Sequence, residues 1–143
     1  MSSESRAPVR PISVAIVEDD PSFRLGLHRL CDALGLSPTS FDSGPAFLEA
    51  VDRGGTRPDC LLVDLLMPVM TGIELHEALA ARGVSIPTIM ITGGDAPESM
   101  APGRSVGRTD RLQKPVGAEE LLAAVVRITS DADAATDRDR LGD

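Results

Sequence analysis

The chain has 143 residues, 42% of them hydrophobic, enough for one domain with a real core. Its net charge of −8 argues against a basic nucleic-acid-binding face, and 2% aromatic content leaves no stacking platform for bases. No apolar run is long enough to span a membrane and no secretory signal opens the chain, so a cytoplasmic protein is expected.

Residues 1–11 are polar, carry two prolines and read as a loose N-terminal arm. Ile12 to Val17 is a first strand, ending in Glu18-Asp19-Asp20. Asp20-Pro21 then opens a helix, because proline at the first helical position loses nothing. Phe23, Leu27, Leu30, Cys31 and Leu34 form its apolar stripe, and Gly35 ends it. His28 reads as a surface or partly packed side chain. Leu36 to Phe41 is a weak strand; Pro38 assigns it to a sheet edge. Ser43-Gly44-Pro45 opens a second helix with Phe47, Leu48 and Val51 facing inward. Asp59 to Asp64, between Pro58 and Pro68, is a short apolar run of the kind buried on both faces of a sheet. Cys31 and Cys60 lie among apolar residues and read as small buried hydrophobes rather than a disulfide or a metal site.

Thr71-Gly72-Ile73-Glu74 has the form of a capping box. The helix it opens buries Leu75, Ala78 and Leu79 and stops at Gly83; His76, without a partner at metal-ligand spacing, is expected to be exposed. Ile86 to Ile91 is a fourth strand, ending in Thr92. Gly93 to Arg108 holds four glycines and two prolines. Each costs a helix interior roughly 1 or 3 kcal/mol relative to alanine, so a turn or two around Glu98 to Ala101 is the most expected there. Thr109 to Gln113 is a fifth strand, ending in Lys114-Pro115. The last helix starts near Gly117, with Glu119 and Glu120 in its first turn, and an apolar face of Leu121, Leu122, Val125 and Ile128. The ordered domain is expected to span 12–129, with 130–143 a disordered tail rich in Asp, Ala and Arg.

Strand and helix alternate five times, which implies a doubly wound α/β fold with a parallel sheet covered on both faces. Right-handed crossovers bring the ends of strands 1 and 3 together at the switch point, where such folds bind ligands. Asp19 and Asp20 would meet Asp64 there, with Thr92 and Lys114 at neighbouring strand ends. Adjacent acids are costly unless a cation neutralises them, and all-oxygen ligands suit Mg²⁺.

These motifs together resemble the receiver domain of two-component response regulators. The features are the acidic pair after strand 1, Asp64 after strand 3, Met67-Pro68, Gly72, Thr92 after strand 4 and Lys114-Pro115 after strand 5. The resemblance covers about residues 11–129 and implies a five-stranded flavodoxin-like sheet in the order 2-1-3-4-5, its fourth helix here short or broken. It implies that Asp64 accepts a phosphoryl group from a histidine kinase or phosphotransfer protein. Asp19, Asp20, Asp64 and the Leu66 backbone carbonyl would hold Mg²⁺. Thr92 and Lys114 would bind the phosphoryl oxygens, and the Lys114-Pro115 bond would be cis. The protein would be a signalling phosphoacceptor rather than a classical enzyme, acting through a downstream protein partner, a phosphorelay or a homodimer, with no direct nucleic-acid or membrane contact. Leu66 and Gly94, at positions that tune hydrolysis in the family, offer no polar side chain to hold water, so rapid autodephosphorylation is not expected.

Two departures qualify the resemblance: Arg111, and a fourth helix broken by Gly and Pro where the family normally has part of its output and dimer face. Family members usually carry Tyr or Phe three residues before the lysine, where this chain has Arg111, and an unpaired guanidinium is poorly suited to the same inward slot. The resemblance is closest to receivers that precede a helix-turn-helix output domain. None follows here, so a stand-alone receiver is expected. A receiver-like module that binds partners without phosphorylation is the alternative. A phosphate-ester hydrolase is disfavoured because the nucleophile would more often follow the first strand in an Asp-x-Asp context.

Overall fold

Five short strands, each five residues long, lie parallel in one sheet. The computed structural model describes residues 10–55, 57–93 and 109–141, with side chains as far as residue 130. In chain order the elements are β1 (Ser13–Val17), α1 (Pro21–Ala33), β2 (Ser37–Phe41), α2 (Gly44–Asp52), β3 (Cys60–Asp64), α3 (Gly72–Ala81), β4 (Thr88–Thr92), β5 (Thr109–Gln113) and α4 (Ala118–Leu141). The sheet order is β2-β1-β3-β4-β5, as the doubly wound reading requires. Most of the Gly/Pro-rich stretch, including Gly94 and the expected short turn of helix, lies outside the described residues. So do residues 1–9 of the arm.

Strand alternation divides the core into two layers. Val14 and Ile16 of β1 and Cys60 and Leu62 of β3 pack with Leu27 and Cys31 of α1 and Leu121 and Val125 of α4. Ala15, Val17, Leu61 and Val63 face the other way, onto Phe47 and Leu48 of α2 and Leu75 and Leu79 of α3. Every residue of β3 and β4 is buried, because helices cover both faces of the central strands. β2 lies at the edge, where Pro38 is tolerated. Both cysteines are free and buried.

Local chemistry sets the helix ends. Asp20 caps α1 through the Ser22 and Phe23 amides, and Ser43 caps α2 through the Ala46 amide. Thr71 and Glu74 form the reciprocal capping box of α3. Gly83 follows α3 with φ +72°, a conformation that glycine adopts without steric cost.

Two details depart from the sequence reading or refine it. His76 is buried rather than exposed. The inward stripe of α3 is Gly72, Leu75, His76 and Leu79, and the 72/76 spacing of four places the imidazole on the core side. His28 is half-buried, with Nδ1 2.7 Å from Ser40 Oγ on the edge strand. α4 runs from Ala118 to Leu141.

Gly72 presses the start of α3 against the end of β3. A Cβ added there would lie 3.0 Å from the Asp64 carbonyl oxygen, 3.0 Å from Met90 Sδ and 3.2 Å from Leu65 Cα. Gly26, in the middle of α1, has nothing within 4 Å of the same position. Gly72→Ala is therefore expected to destabilise the fold by about 1–3 kcal/mol through overpacking. Gly26→Ala should stabilise it by about 1 kcal/mol through helix propensity. Urea unfolding followed by far-UV circular dichroism measures both; changes of the same sign would contradict this packing.

Candidate functional site

Parallel pairing brings the ends of four strands to one edge of the sheet. Val17 of β1 lies in register with Val63 of β3, so Glu18 follows beside Asp64, the last residue of β3. Asp64 is in register with Ile91, and Thr92 stands one residue beyond. Thr92 pairs in turn with Gln113, after which Lys114 leaves the sheet. The Lys114 amide donates to the Thr92 carbonyl at 2.8 Å, and the Lys114-Pro115 bond is cis, as the resemblance implies.

Glu18, Asp64 and Thr92 are buried. The Glu18 backbone is held on both sides: its amide donates to the Phe41 carbonyl at 3.1 Å, and its carbonyl accepts from Arg24 Nη1 at 2.8 Å. Its Oε2 accepts the Asp20 amide at 3.0 Å, while the buried Oε1 has no hydrogen-bond partner among the described residues. Asp64 Oδ1 accepts the Leu66 amide at 3.1 Å. Lys114 Nζ lies 3.4 Å from Asp64 Oδ2 and 3.6 Å from Glu18 Oε1. Burial, reinforced by the charge of Asp64 and a hydrogen bond with Asp19, raises the Glu18 pKa to about 7, against the lowering effects of the Asp20 amide and Lys114.

One carboxylate oxygen from each of Glu18, Asp19 and Asp64 can be chosen so that all three lie within 4.8 Å of one another. A buried carboxylate oxygen with no hydrogen-bond donor, beside two further carboxylates, suits a hard divalent cation such as Mg²⁺. Asp20, which the sequence reading set in this cluster, is instead exposed and occupied as the cap of α1. The acid beside Asp64 that it missed is Glu18. A signal was available: an aspartate directly before a proline at the helix start is committed to the helix amides, leaving Glu18 and Asp19 as the free acids.

Leu66 is exposed in the loop after β3. Arg111 is half-buried on β5 in register with Met90, two residues before the strand ends. A cavity of about 270 Å³ lies away from this edge, lined by Ser13 and Ser37 at the strand starts and by Thr39, Phe47 and Arg57; none of the acids lines it. Among the described residues, no helix is long and apolar enough to cross a membrane.

A family model described as the response regulator receiver domain matches residues 14–126. The sensory transduction protein RegX3 of Mycobacterium tuberculosis is 39% identical over 124 residues, covering 85% of this chain and 53% of that protein. The nodulation protein W of Bradyrhizobium diazoefficiens is 38% identical over 131 residues, covering 89% of this chain and 52% of that protein. The chain thus spans about half the length of the curated relatives it matches. Among solved structures, the crystal structure of FixJ-N superposes with a TM-score of 0.75 at 31% identity, covering 85% of this chain and 96% of that one.

The raised pKa of Glu18 fixes the sign of a pH dependence. Its carboxyl titrates at 4.5 when unperturbed and at about 7 in the fold. Its contribution to stability is therefore fully present below the unfolded value and is lost as pH rises through about 7. Glu18→Gln stays neutral throughout. In metal-free buffer its thermal midpoint should match the wild type near pH 4.5 and exceed it by a few degrees near pH 8. A constant difference across that range, measured by scanning calorimetry, would contradict the burial of a titrating Glu18.

Proposed function

Because the chain belongs to the response regulator receiver family, we propose that Asp64 is its phosphoacceptor. We also propose that Glu18, Asp19 and Asp64, with the Leu66 backbone carbonyl, form its Mg²⁺ site. The observation that carries this reading is the placement of Asp64: buried at a strand end, beside two further acids, with the Lys114 ammonium 3.4 Å from its Oδ2.

Receiver domains take their phosphoryl group from histidine kinases. Here an oxygen of Asp64 attacks the phosphorus of a phosphohistidine on a kinase or phosphotransfer protein. The new P–O bond forms as the P–N bond breaks; the imidazole leaves with the bonding pair and takes up a proton. The product is an acyl phosphate on Asp64. When bound, Mg²⁺ supplies positive charge to the carboxylates and to the transferring oxygens. Lys114 pairs with one phosphoryl oxygen, and the Thr92 hydroxyl donates to another, a contact that exists only after transfer. The signal then passes to a downstream protein partner. Arg111 replaces the usual aromatic residue, so that relay differs in detail from the family's. The assembled acids, threonine and lysine favour phosphorylation over a module that binds partners without it.

Incubation with acetyl phosphate, followed by intact-mass measurement, tests this reading. The wild type should gain one phosphoryl group with Mg²⁺ and none with chelator, and Asp64→Asn should gain none. A Mg²⁺-dependent gain that persists in Asp64→Asn would place the acceptor elsewhere.

A further inference from the structure

Lys114 is the one lysine in the chain; the other permanently charged basic side chains are arginines. Aromatic residues are nearly as scarce, limited to three phenylalanines. Phe41 and Phe47 pack edge-on against each other, with ring centroids 5.1 Å apart. Phe23 instead turns its face to the Lys114 ammonium, with Nζ 4.2 Å from the ring centroid.

The two carboxylate contacts of Lys114, at 3.4 and 3.6 Å, are long beside the roughly 2.7–2.9 Å of a strong charged hydrogen bond. Its side chain is 30% exposed, so the carboxylates alone hold it loosely. The negative face of an aromatic ring attracts an ammonium at this range. The ring is itself fixed. It belongs to the first turn of α1, where the Phe23 amide donates to the Asp20 cap at 3.4 Å, and it packs against the core layer under α1 and α4.

We infer that Phe23 is a positioning residue for Lys114: its ring face holds the ammonium beside Asp64. The ring carries no lone pair that a metal ion or a phosphoryl group would claim. Its hold on Lys114 therefore persists when the carboxylates turn to a cation, and the ammonium stays where the transferred oxygens arrive. This inference rests on the reading of Asp64 as phosphoacceptor.

A single lysine makes the test direct. Protein labelled with ¹³C,¹⁵N-lysine yields one lysine side chain in the NMR spectrum. In the wild type the ring current should shift the Lys114 ε-CH₂ protons upfield of free lysine. Phe23→Leu should return them to the free position, and Phe23→Tyr should keep the shift. On the same proteins, Mg²⁺-dependent labelling of Asp64 by acetyl phosphate should slow roughly 5- to 10-fold in Phe23→Leu and stay within about twofold of wild type in Phe23→Tyr. An unshifted ε-CH₂ in the wild type overturns the inference without any variant. A shift with equal labelling rates in wild type and Phe23→Leu also overturns it, and leaves Asp64 standing as acceptor. If the wild type takes up no phosphoryl group, the reading of Asp64 fails first and the positioning role falls with it.

Discussion

Burial of neighbouring carboxylates at one end of the sheet is the constraint on which the site depends. Glu18 and Asp64 occupy adjacent strand ends, both buried, with Asp19 beside them. Burial, reinforced by the nearby charge of Asp64, raises the pKa of Glu18. One lysine offsets part of that charge, at distances too long to neutralise it fully. The fold thus holds a charge imbalance of the kind a divalent cation relieves; under the proposed reading, a transferred phosphoryl group would arrive beside that cation and the ammonium.

The rest of the architecture keeps those charges together. Parallel register places the ends of β1 and β3 side by side, and two apolar layers hold the strands rigid. Gly72 lets α3 close on the back of Asp64, where any side chain would meet the Asp64 carbonyl. Asp20 contributes indirectly, by fixing the first turn of α1 and with it Phe23 and Arg24. Phe23 faces Lys114 and Arg24 holds the Glu18 carbonyl, so one cap orients two supports of the site.

Much of this was legible in the sequence. Alternating strand and helix signals, glycine stops and the Thr71/Glu74 box identify the parallel fold and its edge strand, because each follows from local backbone chemistry. The positions of Asp64, Thr92 and Lys114 were legible because each stands at, or directly after, the end of a recognisable strand. The choice between Asp20 and Glu18 was harder. Both are acids beside Asp19, and only the competing demand of the helix cap separates them. His76 was misplaced because a polar residue next to Leu75 carries no marker of burial; the close packing begun at Gly72 turns it inward. The ring of Phe23 over Lys114 links residues far apart in the chain, which no local pattern reveals.

The most direct test is a calorimetric Mg²⁺ titration of the wild type, Asp19→Asn and Asp20→Asn. Asparagine caps helices about as well as aspartate, so the Asp20 variant removes charge while keeping the turn of α1. If Glu18, Asp19 and Asp64 form the cation site, Asp20→Asn should bind Mg²⁺ within about threefold of the wild type, and Asp19→Asn should lose about tenfold or more. Equal losses in the two variants would contradict the account and return Asp20 to the metal site.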